Sequence, residues 1–256
     1  MSSLDEPFAC GDSFLHRADP RLKIVSAAVL SVVLALVQTL PAAVAGLAAG
    51  ALLAALARLQ PGRLARRLLV VNGFIFFLCL VVPVSTPGEV VWSLGPLDVT
   101  RQGLRLAGLV ALKSNAILLA LMALAATSTT AAVGRGLDAL GLPRSMVWIL
   151  LLCHRYAHVI LDEQRRLSRA ALLRGFQPRT SLHAYRAYAY MVGMTLVRSF
   201  ERSRRVAQAM VLRGFDGAFR SLDEPRARGA DFLLLGACLA AAAALAGLEI
   251  AARLAP

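Results

Sequence analysis

Long apolar runs alternate along the chain with short arginine-bearing breaks, and the spacing predicts a set of membrane-crossing helices. Residues 24–40 and 41–57 hold no charge and are 17 long each, near the lower limit of the roughly 17–25 that span a bilayer. Pro41 divides what would otherwise be one overlong run, which predicts a tight helical hairpin. Residues 68–84 form a third run, interrupted only by Asn72, and residues 106–127 a fourth, with Lys113, Ser114 and Asn115 at mid-depth. The last run is 232–248. Between the runs, Arg58, Arg63, Arg66 and Arg67 surround Pro61-Gly62 in a short loop. Segment 85–103, with Pro87, Gly88, Gly95 and Pro96, has one basic residue, Arg101, and is expected on the opposite face. Asp19 before Pro20 predicts a helix N-cap with proline at the first helical position. Arg21 and Lys23 then mark a membrane edge.

The remaining polar stretch is helical in pattern but not spanning. An amphipathic surface helix is expected over 131–140, ended by Gly-Leu-Pro. Residues 145–160 begin apolar, turn polar, and flow into an arginine-rich helix as one long element. Residues 184–197 predict a separate tyrosine-rich helix, too short to span, packed between two arginine-rich helices.

Composition agrees with a polytopic membrane protein. Of 256 residues, 58% are apolar and 17% charged, against about 25% charged in an ordinary globular domain. The net charge of +13 is concentrated: residues 127–228 hold 17 Arg and 7 carboxylates, +10 of the total. A block of that kind between apolar runs is the expected cytoplasmic segment of a positive-inside membrane protein. Aromatic residues interleaved with the arginines are confined to the tyrosines at 185, 188 and 190, so a nucleic-acid surface is not expected. The cysteines at 10, 79, 153 and 238 stand alone, which indicates neither a disulfide framework nor a zinc knuckle.

Candidate chemistry is sparse. His154 and His158 share a helical spacing, but no third metal ligand accompanies them. Lys113 in a span is costly and by default functional; the simpler expectation is that Asn72 or Asn115 satisfies it inside the bundle. No phosphate loop, nucleophile elbow or pair of intramembrane carboxylates occurs, so neither catalysis nor a bound cofactor is expected.

The strongest signal is a segment written twice. Arg165-Arg166-Leu167-Ser168-Arg169-Ala170-Ala171-Leu172-Leu173-Arg174-Gly175-Phe176 returns 39 residues later as Arg204-Arg205-Val206-Ala207-Gln208-Ala209-Met210-Val211-Leu212-Arg213-Gly214-Phe215, with seven of twelve positions identical. Each copy predicts a helix that ends at its glycine, with an arginine in the last turn. Ala170 and Ala209 lie one turn before the arginines and leave room for another backbone to approach. Solvated faces do not repeat an arginine, a glycine and an aromatic in register. Two similar helices imply two similar receptors.

With these motifs the chain resembles the transmembrane T component of energy-coupling factor (ECF) transporters. The paired Ala-x-x-x-Arg-Gly motifs look like that family's coupling motifs, and the opening Gly11–Lys23 is similar to its cobalt branch, CbiQ. The resemblance implies an all-α polytopic bundle of about five spans with a cytoplasmic helical coupling domain. The implied division is 1–127, a four-span N-terminal membrane domain; 128–228, the coupling domain; and 229–256, a C-terminal span. It implies a non-catalytic subunit in a bacterial inner membrane, with N-terminus and coupling domain cytoplasmic. Its implied partners are two CbiO-like ATP-binding-cassette subunits, a substrate-binding CbiM-like subunit, with or without a small CbiN-like one, and the lipid bilayer. Carried over by position, Arg174 and Arg213 are the coupling residues, and Ala170, Gly175, Ala209 and Gly214 permit close approach. The competing expectation is a membrane enzyme acting on phosphate-bearing lipids, for which Asp138, Asp162 and Glu163 are the available carboxylates.

Overall fold

The protein is described by a computed structural model covering residues 13–94, 97–215 and 229–254. Helices dominate: α1 (Phe14–Arg17), α2 (Pro20–Leu36), α3 (Leu40–Leu56), α4 (Pro61–Ser85), α5 (Arg101–Leu124), α6 (Thr130–Ala139), α7 (Arg144–Leu173), α8 (Leu182–Leu212) and α9 (Gly229–Leu254). A two-stranded antiparallel ribbon, β1 (Val90–Leu94) with β2 (Leu97–Thr100), lies between α4 and α5. The described residues separate into two compact units, one of 141–215 and one of 13–140 with 229–254.

The larger unit is a helical bundle. Helices α4, α5 and α9 are long and apolar enough to cross a membrane. The hairpin helices α2 and α3 have 17 residues each, about 25 Å at 1.5 Å per residue, short for the roughly 30 Å hydrocarbon core. The chain breaks between them at 37–39, as the proline predicts, and Pro41 falls in the first turn of α3. Asp19 caps α2 as expected, its carboxylate accepting from the Arg21 amide at 2.9 Å.

Small residues set the packing. Ala42, Ala43, Ala116, Ala120 and Ala123 are almost wholly buried, which lets backbones approach where lipid supplies no hydrophobic drive between helices. Gly50 of the G-x-x-x-G pair is such a point: a Cβ there would lie 2.8 Å from the Ala116 carbonyl of α5. A second cluster packs Ala27 and Leu30 of α2 against Leu234, Cys238 and Ala242 of α9. On α4, by contrast, Phe74, Phe76 and Phe77 stand exposed, the surface of a helix that faces lipid or another membrane protein.

Polar groups inside the bundle are paired, though not always as the sequence suggests. Asn72 of α4 and Asn115 of α5 exchange two side-chain hydrogen bonds, of 3.1 and 2.8 Å. Lys113 uses neither asparagine: its Nζ donates to the Ala35 carbonyl at 2.7 Å. The reason is that α2 ends at Leu36, so its last carbonyls lack helical partners and carry the negative end of the dipole. At the mirror position, Glu249 of α9 accepts from the amide and hydroxyl of Thr39, at 3.1 and 2.8 Å, placing an anion on the N-terminus of α3. Lys23, in the first turn of α2, is 1% exposed, donating to Ser128 at 2.8 Å and Thr127 at 3.4 Å. The Asp231 carboxylate in the first turn of α9 acts on it electrostatically. One lysine thereby ties the starts of α2 and α9 to the α5–α6 connection.

Three expectations are corrected. Stretch 58–67 is not a loop throughout, because α4 begins at Pro61 and carries Arg63, Arg66 and Arg67 in its first two turns. Segment 85–103 is partly ribbon, because Val90-Val91-Trp92 is a β-favouring run that its Gly and Pro neighbours hide. The tyrosine-rich stretch 184–197 is not a separate helix but the first half of the continuous α8. Helices α6 and α7 fall within one residue of their expected starts.

Candidate partner-docking site

The smaller unit consists of α7 and α8, each about 30 residues long. Every residue singled out in the doubled motif lies here, at the C-terminal tips. Both tips are built alike. In α7 the Gly175 amide donates to Leu172 and the Phe176 amide to Ala171, each at 3.0 Å. In α8 the Gly214 amide donates to Val211 and the Phe215 amide to Met210, again at 3.0 Å. This pair of crossed bonds is the Schellman cap, which needs a left-handed residue after the helix. Gly175 and Gly214 supply it at φ +82° and +73°.

The cap sends the chain sharply away and leaves the last turn open. Ala170, Arg174, Gly175, Ala209, Arg213 and Gly214 are all exposed. Among the described residues, neither the Arg174 nor the Arg213 guanidinium has a hydrogen-bond or ion-pair partner, although both backbone amides bond within their own helix ends. A cleft of about 370 Å³ opens beside Arg174, walled by His183, Tyr190, Met191 and Met194 of α8. Between 165 and 174 there are four arginines and no carboxylate; between 204 and 213, three and none.

The repeated phenylalanines turn inward instead. Phe176 packs edge-on against Tyr188 of α8, with ring centroids 5.3 Å apart, and Phe215 against Trp148 of α7 at 5.2 Å. Each tip is therefore held by an aromatic from the start of the other helix. Midway, Glu163 of α7 is hydrogen-bonded by Arg198 of α8 and lies 3.8 Å from Arg202. The Arg198 hydrogen bond holds the Glu163 carboxyl below the usual carboxylate range. Arg165 pairs with Asp162 at 3.1 Å. Both carboxylates considered for a lipid enzyme on this unit are thus occupied by arginines.

The helices run antiparallel, so the two motifs are not brought together. Phe176 sits at Tyr188, and Arg213 lies 25 residues further along the same helix, roughly 38 Å away at 1.5 Å per residue. The geometry is of two equivalent cationic tips on one strut.

The family model of CbiQ, the cobalt transport protein, matches residues 11–224. The chain belongs to this family. Among curated proteins, the energy-coupling factor transporter transmembrane protein EcfT of Heliobacterium modesticaldum is 28% identical over 250 residues, covering 93% of this chain and 92% of the relative. EcfT of Acidaminococcus fermentans is 26% identical over 81% of each chain. EcfT of Streptococcus thermophilus is 25% identical, over 82% of this chain and 84% of that one. This CbiQ-family protein is thus the T component of an ECF transporter, an integral membrane protein of predominantly α-helical fold.

Two features of its tips are not evident from the sequence. Leu173 and Leu212, immediately before the arginines, are 89% and 88% exposed. Both belong to the repeat, and their identity in the two copies is the available signal; in sequence they pass for ordinary helix formers. The aromatic braces Trp148 and Tyr188 lie outside the repeat, and no local pattern links them to phenylalanines 67 residues later or 12 earlier.

Proposed function

We propose that this T component couples ATP hydrolysis to uptake, docking one tip into each of two ATP-binding-cassette subunits and holding a substrate-binding membrane subunit through its bundle. The observation that carries this reading is the pair of equivalent exposed tips at opposite ends of a braced pair. Each has a left-handed glycine cap and an arginine whose side chain has no partner among the described residues. Two copies of one receptor account for two copies of one tip. Arg174 and Arg213 are the central contacts. Ala170 and Ala209 keep the adjacent turn low, and Gly175 and Gly214 turn the chain out of the way. Residues 128–228 act as the coupling domain, with segments 1–127 and 229–256 in the membrane. The arginines of 58–67 and 127–228 favour a cytoplasmic side for both, in a bacterial inner membrane. The family description and the opening Gly11–Lys23 favour cobalt as cargo, passed by a CbiM-like subunit with or without a CbiN-like one. The chain itself holds no nucleotide; hydrolysis belongs to the CbiO-like pair.

A hydrogen bond to a charged group contributes about 1.5–3 kcal/mol, so losing both arginines weakens docking by roughly 10²–10⁴ if the effects add. The test is purification from native membranes in mild detergent, beside an Arg174→Glu/Arg213→Glu variant. An ATP-binding-cassette subunit at two per chain with wild type, absent with the variant, is the expected result. Wild type emerging alone, or charge reversal without effect, refutes docking through the tips. Cobalt against nickel uptake by the recovered assembly decides the cargo.

A further inference from the structure

We infer that Leu173 and Leu212 are apolar docking knobs, each entering a groove on the ATP-binding-cassette subunit that has an apolar floor and an acidic rim. This rests on the coupling reading and specifies the chemistry of its receptor. A leucine left almost wholly in water at the end of a well-capped helix gains nothing from the fold of its own unit. Two of them, at equivalent positions of a repeat and each followed by an arginine, are a surface built twice for one purpose. Leu172 and Val211 stand exposed beside them, so each tip presents two aliphatic residues capped by a guanidinium. Arg165 and Arg205 pair with Asp162 and Glu201, but Arg166, Arg169, Arg174, Arg204 and Arg213 have no ion pair among the described residues, so the complementary rim is negative.

The placement argues against the other occupants. A helix lying on a bilayer exposes apolar residues along one face at intervals of three and four. Helix α8 has such a row in Val192, Leu196 and Phe200, but at about 100° per residue Leu212 falls on another side of the helix, and both leucines close the helix ends. A second copy of this chain would bring its own arginines against these. A soluble subunit taken twice, acidic around an apolar pocket, meets both demands.

The two parts of a tip answer salt differently. Charge–charge contacts weaken as ionic strength rises, while burial of a leucine, about 1.5–3 kcal/mol, does not. Truncating one leucine therefore weakens docking about 10–100-fold, equally at low and high salt. Because both side chains are exposed, Leu→Ser leaves the unit folded, which unchanged thermal unfolding checks.

The experiment uses the full chain in nanodiscs and the purified ATP-binding-cassette subunit that accompanies it in its membrane. Binding is measured for wild type, Leu173→Ser/Leu212→Ser and Arg174→Gln/Arg213→Gln at about 0.05 and 0.5 M salt. The expected result is a leucine variant weakened at least about 100-fold at both salts and an arginine variant whose defect shrinks with salt. If the leucine variant binds as wild type while the arginine variant does not, the knobs are refuted and docking by charge stands. If neither variant differs from wild type, the coupling reading itself fails. A leucine variant that binds the subunit normally, but dimerises less or releases lipid from the nanodisc, assigns the leucines to a second copy or to the bilayer and overturns the inference.

Discussion

Replacing Gly214 by alanine isolates the contribution of the left-handed cap, because the structure removes every other cause. A Cβ added at Gly214 meets no atom of the described residues within 4 Å, so no clash with them is created and the cost is conformational. Holding alanine at φ +73° costs about 1–2 kcal/mol. The chain can avoid that strain by fraying the tip. Fraying gives up the two crossed amide bonds, about 0.5–1.5 kcal/mol each, and the Phe215–Trp148 edge contact, another 0.5–1.5 kcal/mol or so. The sum, roughly 1.5–4.5 kcal/mol, exceeds the strain over most of its range, so the cap survives and is weakened. A penalty of about 1–2 kcal/mol raises the frayed population 5–30-fold. The assay is amide hydrogen exchange at Gly214 and Phe215, where protection falls by that factor while the middle of α8 is unchanged. Asparagine tolerates the left-handed region better than alanine, so Gly214→Asn loses less protection than Gly214→Ala. An alanine variant protected as well as the asparagine variant would refute the requirement for a left-handed residue.

The crossed braces predict effects on the opposite helix: Trp148→Ala loosens exchange at Phe215 without affecting Phe176, and Tyr188→Ala does the reverse. Glu163, its carboxyl held below the ordinary range by Arg198, stabilises the α7–α8 pair in full above the pKa of a free glutamate and loses that contribution as pH falls through its folded-state value. Acid unfolding monitored beside Glu163→Gln checks this, the variant showing a flatter acid limb. Gly50→Leu overpacks the α3–α5 contact at Ala116 and destabilises the bundle by about 1–3 kcal/mol, read as a lower thermal midpoint in detergent with the α7–α8 braces intact by exchange.

How far the sequence reveals this molecule depends on the range of the interaction concerned. Apolar runs, proline punctuation and the Asp19-Pro20 start are local, and they locate α2 to α5 and α9, although α4 and α5 begin seven and five residues before their apolar runs and α9 ends six after its own. The doubled motif, also local, locates both tips. What could not be read is what distant segments do to one another. Lys113 finds the carbonyl of Ala35 because a helix 78 residues earlier ends there, and no side-chain pattern encodes a free backbone group. Lys23 looks like an interfacial cation and becomes a buried tie once α9 and the α5–α6 connection close over it. Tyrosines 185, 188 and 190 suggest an independent helix because their stretch is more apolar than the arginine-rich residues after it. Nothing in 198–202 breaks the helix, however, and α8 runs through. The exposure of Leu173 and Leu212 is tertiary as well: an apolar residue predicts burial until the fold shows that nothing covers it.

The strut between the tips acts as a ruler graduated in residues. Its length is counted along α8 from the position facing Phe176 to Arg213, so the connection between α7 and α8 can change length without altering the spacing. One residue inserted into α8 between Tyr188 and Leu212 has two effects at once. It moves Arg213 outward by about 1.5 Å and swings it about 100° around the axis. The smaller unit is therefore forgiving in its turns and intolerant of insertions in its helices, with whole-turn insertions of three or four residues the least harmful because they restore the heading of the arginine while lengthening the reach by about 5 Å.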